Sequence, residues 1–173
     1  MRRAALWVVA LLAGCSVPGD EKTIDEADLE AVVLQRDDLA PWYRQTFVRS
    51  LGQAAPARVR YERISSAGEP GPDVVDSIVE AFDSSGTADG HLDAARDAVR
   101  QRPGWQPIDE PGLGDESFAA TVVQHEVRRY EIFWREHNAS ASLQVKGSEG
   151  GLPLADVLAL ARKQERRISN AAD

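Results

Sequence analysis

Three consecutive segments, Glu116 to Gln124, Val127 to Glu136 and Ala139 to Gly147, alternate apolar and polar residues with a period of two. That period belongs to strands whose two faces meet different surroundings, and it does not fit a helix. In the last segment Ala139, Ala141, Leu143 and Val145 oppose Ser140, Ser142, Gln144 and Lys146, the pattern of an antiparallel sheet with one buried face. His137-Asn138 stands where a tight hairpin turn belongs, asparagine being tolerant of positive φ.

The flanking sequence supplies elements to complete the sheet and cover it. Thr23-Ile24-Asp25-Glu26 reads as a capping box opening a helix, with Ile24, Ala27, Ala31 and Leu34 along its apolar side and Pro41 as its stop. Trp42 to Arg49 and Arg58 to Ser65 are candidate strands separated by the breakers between Gly52 and Pro56. Val59 and Tyr61 alternate with Arg58, Arg60 and Glu62, so one face of that strand is wet. The loop 67–72 turns the chain with two glycines and two prolines. Val74 to Phe82 fits a helix face through Val75, Ile78, Val79 and Phe82, but its β-branched content favours a strand, and strand is the assignment made. Thr87 to Arg102 carries the helical stripe Leu92, Ala95, Val99, with Arg96, Arg100 and Arg102 toward the negative end of the helix dipole. Gly104 to Gly114 reads as a loop. The last helix, Pro153 to about Asn170, places Leu154, Val157, Leu158, Ala161 and Ile168 on one side, to close the core over the sheet. This order predicts a single α+β domain over residues 23–173, with a mostly antiparallel sheet of about six strands and three helices packed on it.

At the N-terminus Arg2 and Arg3 precede the apolar run Ala4 to Ala13, and Leu12-Ala13-Gly14-Cys15 contains the chain's one cysteine. A basic start, an apolar run and a small residue before the cleavage point are how an export signal reads. The run is about half of the ~20 residues a helix needs to cross a bilayer, so it does not make a permanent span. The tetrapeptide resembles the lipobox of bacterial lipoproteins. That resemblance implies loss of a signal peptide 1–14 and a diacylglyceryl group on the Cys15 thiol. It further implies acylation of the new N-terminus, as by palmitate, and residues 15–22 as a tether to the extracytoplasmic face of a membrane, an outer membrane where the cell has one. An ordinary secretory signal that contains a cysteine, or an uncleaved anchor, are the alternatives. A single thiol leaves no disulfide within the chain.

The formal charge is −8, and loss of residues 1–14 removes two of the basic residues and no acidic ones. Nucleic acid is therefore not an expected partner, because non-specific attraction to it comes from Lys and Arg. Several segments of the body, Asp38-Leu39-Ala40-Pro41, Gly112-Leu113-Gly114-Asp115-Glu116, Ile132-Phe133-Trp134-Arg135 with Asn138-Ala139, and Leu160-Ala161 to Arg167-Ile168, look like those of small exported bacterial lipoproteins of poorly assigned function. Some of these adopt PsbP-like or sensor-domain-like sandwiches, so the resemblance implies fold class and location.

No catalytic constellation stands out, and the chain is expected not to be an enzyme. His125-Glu126 begins like a zinc-protease motif, yet Arg129 stands where the second histidine belongs. His91, His125 and His137 are far apart, and neither a metal nor a cofactor is expected. Ser117 lacks the Gly-x-Ser-x-Gly elbow. Asp109, Glu110, Asp115 and Glu116 cluster in a Gly/Pro-bearing loop, where carboxylates could converge for acid/base work. Asn138-Ala139-Ser140 is a formal glycosylation sequon. The candidate binding face is on Val127 to Glu136, where Phe133 stands among Arg129 and Arg135 on one side of the strand. Arginine stacks on rings and forks onto carboxylates, so this face could receive an acidic or planar small ligand, or the surface of an envelope protein. Three functions follow for weighing: a membrane-anchored extracytoplasmic binding or sensing module, an envelope hydrolase using the loop carboxylates, or a purely structural envelope protein. Cys15→Ala should abolish both acylation and cleavage at this position; mass spectrometry of the mature N-terminus checks it, and an unmodified Cys15 in the wild type rejects the anchor.

Overall fold

The computed structural model describes residues 22–49, 56–64, 71–108 and 111–172. The signal peptide 1–14, Cys15 and the tether up to residue 21 lie outside these. The described strands are β1 (Tyr43–Arg49), β2 (Ala57–Arg63), β3 (Val74–Ala81), β4 (Gln106–Ile108), β5 (Glu116–Gln124), β6 (Val127–Glu136) and β7 (Ala139–Ser148). The helices are α1 (Leu29–Val32), α2 (Ser85–Arg100) and α3 (Leu154–Ala171). The strands form one sheet in the order β1-β2-β3-β7-β6-β5-β4, and every neighbouring pair is antiparallel. Two meanders, β1-β2-β3 and β4-β5-β6-β7, thus meet at β3 and β7. Helix α2 carries the chain from that central junction to the far edge.

The expected α+β class is the observed one. Val74–Ala81 is indeed a strand: it stands at the junction itself, paired with β2 on one edge and β7 on the other, which suits β-branched side chains. The sheet has one strand more than the sequence suggests, because Gln106–Ile108, inside the segment read as loop, pairs with Ala119 to Thr121 at the edge. Three residues are too few to show a period.

On one face α3 and the N-terminal segment cover the sheet. Tyr61, Val75, Ile132, Trp134 and Leu143 pack there against Val157, Ala161 and Ile168 of α3. The α3 stripe is as expected except that Leu154 and Leu158 are only half-buried and Gln164 joins the buried side, its Nε2 donating to the Ile78 carbonyl at 3.2 Å. On the other face α2 lies across β5, β6 and β7 and buries Ala88, Leu92 and Val99. Its cap is local: the Ser84 hydroxyl accepts from the Thr87 amide at 3.2 Å.

The first helix differs most from expectation. The capping box at Thr23 does not form; a 3-10 turn at Glu26–Asp28 leads into the four-residue α1, and Val33 is already extended. Leu29 and Val32 are buried, whereas Ala27 and Ala31 are exposed. Tertiary hydrogen bonds explain the change. The Ile24 amide donates to Asn138 Oδ1 at 2.7 Å, the Leu34 amide donates to Ser77 Oγ at 3.0 Å, and the Tyr61 hydroxyl donates to the Leu34 carbonyl at 3.1 Å. A helix this short has little stability of its own, so polar groups of the sheet take its ends. Asn138 also donates to the Ile24 and Phe82 carbonyls and is buried, and it is His137 that takes the positive φ of the hairpin. The sequon is therefore folded into the domain.

Ile168→Ala should cost about 2–5 kcal/mol, and Leu158→Ala clearly less because its side chain is part-exposed; denaturant midpoints of the two variants check the order. A second expectation concerns Glu136, buried at the end of β6 with Ser169 of α3 donating to it. Burial pushes its carboxyl above the ordinary range, and the Ser169 hydrogen bond offsets only part of this. The folded form then holds the proton more tightly than the unfolded chain, so this group favours folding below the unfolded pKa, and that contribution is lost as pH rises through the folded value. Glu136→Gln should therefore gain in relative stability as pH is raised from about 4 toward neutrality; a pH-independent difference from wild type would contradict the assignment.

Candidate functional site

Arg129, Glu131, Phe133 and Arg135 share one face of β6, as period two requires. The structure gives them different surroundings. Phe133 stacks on its register partner Phe118 with ring centroids 4.7 Å apart and planes at 8°. Arg135, 15% exposed in its side chain, is clamped by Asp89 of α2 and by Asp115 at 2.6 Å. Both residues lie where α2 crosses the sheet. Arg129 is beyond the helix, on the uncovered part of the same face, and exposed. Two depressions open on this side of the sheet, and of the sequence-derived residues Arg129 lines the smaller one, whereas Phe133 and Arg135 line neither.

The larger depression, about 560 Å³, opens between the C-terminal half of α2 and the β4–β5 edge. Val99, Trp105, Pro107, Phe118 and Ala120 supply apolar walls, with Arg96 and Arg100 above. Arg96 lies over the Phe118 ring at 5.3 Å and binds Glu116 at 2.5 Å and Asp93 at 2.7 Å. Among the described residues Arg100 pairs only with Asp97 of its own helix, at 3.5 Å, and it is 70% exposed, so its guanidinium can turn toward a guest. At the lower rim Arg102 lies over the Trp105 ring at 5.6 Å and binds Glu131 at 2.7 Å. Two rings, each with an arginine on its face, flank an apolar floor.

The smaller depression, about 240 Å³, runs over β2, β3, β7 and β6 where α2 does not reach. Asp76 is buried at its floor, accepting from Arg58 Nε at 3.1 Å and Arg60 Nε at 2.9 Å. Burial alone would raise its pKa, but the two guanidinium groups outweigh burial and hold the carboxyl below the usual range. Asp76 is therefore a charged structural tie between β2 and β3.

Of the loop carboxylates, Asp115 and Glu116 are engaged in holding the fold. Asp115 accepts from Arg135 and from the His137 amide at 3.0 Å, Glu116 accepts from Arg96, and Asp109 and Glu110 lie outside the described residues. Their neighbours Gly112 and Gly114 have φ of +64° and +54° and bracket the fully buried Leu113. A Cβ on Gly114 would collide with the Arg135 carbonyl, which instead accepts from the Asp115 amide at 2.9 Å. The segment 112–116 is a clasp on the end of β6. His91 meets Ser140 at 3.0 Å, while His125 and Glu126 form the positive-φ turn between β5 and β6. Among the described residues no group of three or more His, Cys, Asp or Glu converges to hold a metal ion.

The sequence reading did not include Val99, Trp105 or Phe118 in a site. Trp105 follows the Pro103-Gly104 stop in what reads as loop, and Phe118 meets Phe133 only through the β5–β6 register. The one available signal was the pair of aromatic-bearing strands themselves.

No protein-family model matches the chain, and no curated protein matches it. Among the described residues no helix is long and apolar enough to cross a membrane. Among solved structures, the chain is similar to the GTP binding regulator of Thermotoga maritima at a TM-score of 0.42 and 12% identity, covering 84% of this chain and 88% of that one, too low a score to support an argument. It is similar to the extracellular domain of PknH from Mycobacterium tuberculosis at a TM-score of 0.67 with 12% identity, covering 87% of this chain and 99% of that domain, and this likeness establishes a shared fold.

Proposed function

We propose that this chain is an extracytoplasmic binding or sensing module, anchored to a membrane through a lipid on Cys15, that takes a small planar acid into the cleft between α2 and the β4–β5 edge. The observation that carries the reading is the cleft itself: about 560 Å³, apolar on its walls, with Trp105 and Phe118 facing it. That volume falls within the roughly 300–1,000 Å³ of small-molecule sites, which combine apolar walls with a few placed polar groups. The weakly held Arg100 supplies the group that would fork onto a carboxylate or sulfonate, and the rings supply stacking area. A fold shared with an extracellular domain is compatible with a location outside the cytoplasm. The lipobox supports the anchor, and the ion-paired state of Asp115 and Glu116 favours binding over hydrolysis at that loop.

Titration of the purified full chain with aromatic carboxylates such as 2-naphthoate, followed by calorimetry, tests this. Wild type should bind, Trp105→Ala should weaken binding at least tenfold, in keeping with aromatic anchors worth about 2 kcal/mol, and Arg100→Gln should weaken it severalfold. Unchanged affinity in both variants would place the ligand elsewhere, and no binding of any planar acid would reject the reading.

A further inference from the structure

On the uncovered part of the sheet most charges are matched. Asp76 is shared by Arg58 and Arg60, and Glu131 is committed to Arg102. Two cations are left over. Arg129 on β6 and Lys146 on β7 are register partners, so their side chains leave the same face of the sheet directly opposite one another. Both are exposed, and neither side chain has an ion pair or hydrogen bond with a described residue. Like charges in directly opposed cross-strand positions destabilise a sheet. Their own row offers no relief: the next partners are Val74 beside Lys146 and Val122 beside Arg129. Glu62, the nearest carboxylate along that row, is two strands away from Lys146, roughly 10 Å at ~4.8 Å per strand.

The pair is also recessed. It lines the 240 Å³ depression together with Glu131, which is held by Arg102, with Glu62 at the far side, and with Asp76, which is held at the floor by Arg58 and Arg60. The geometry points to a second site, distinct from the α2 cleft, in which Arg129 and Lys146 together seat one phosphoryl dianion of a soluble compound. Two adjacent unit charges are neutralised by one group carrying close to two negative charges at neutral pH, which a phosphate monoester does and a single carboxylate does not. Arginine offers a fork to two of its oxygens and lysine a point charge to a third. The chain enters the domain at Ile24, bound to Asn138 at the opposite end of β7. The eight residues from there to Lys146 span about 26 Å at ~3.3 Å each. That distance from the point of tethering favours a soluble phosphoryl group over a headgroup of the anchoring membrane.

Thermal unfolding of the full chain in inorganic phosphate, against chloride at equal ionic strength, tests the site, with calorimetry for affinity. Phosphate should raise the wild-type midpoint beyond the chloride control. Arg129→Gln and Lys146→Gln should each weaken binding at least fivefold, and the double variant should lose the phosphate-specific shift. Without phosphate these variants should unfold at the same or a higher temperature, because the repulsion is relieved, which separates lost binding from lost folding. Arg166→Gln, exposed on α3 across the sheet, should leave the phosphate response intact. A shift no larger than in chloride, or one that survives in the double variant, overturns the site. Binding to phosphatidic acid vesicles but not to inorganic phosphate overturns the soluble source.

Discussion

The pairing of β3 with β7 is the interaction on which the remaining structure depends. Eight residue pairs, from Val74↔Lys146 to Ala81↔Ala139, join two meanders that would otherwise be separate sheets with exposed edges. The partners are far apart in sequence, with α2, β4, β5 and β6 between them, yet the entropy of closing such a loop grows only logarithmically with its length. Burial repays it. Val75, Val79, Ala141, Leu143 and Val145 flank the junction on the side that α3 covers. A one-residue slip there would turn either Asp76 of β3 into the core or Leu143 of β7 out of it.

The same junction accounts for the unequal treatment of the two faces. One face is closed by α3 together with an N-terminal segment that is held mostly by side chains of the sheet, Asn138, Ser77 and Tyr61. On the other, α2 has to travel from β3 to the far edge, so it covers β5 to β7, touches β3 only near Glu80 through His91, and leaves β2 and most of β3 bare. Charges that would suit a fully wet strand then fall into two classes. Under α2, Arg135 and Arg96 become clamps to Asp89, Asp115 and Glu116. Outside it, Arg129 and Lys146 stay uncompensated. The two depressions are the places where the helix stops covering the sheet.

Sequence alone was sufficient for every strand but β4 and for the helices α2 and α3, because each carries the residue types or the apolar period of its element and its own stops, such as Pro103-Gly104 and Pro153. It also defined which of Arg129, Phe133 and Arg135 share a face, since alternation is a local property. Tertiary structure decided the rest. The N-terminal helix shrank to one turn because partners distant in sequence took its end groups, and β4 exists only because an edge of β5 was open to pair. The division of the β6 face into a clamped part and an open part follows from where α2 lies, and a helix's path across a sheet is set by strand order, which no local period encodes.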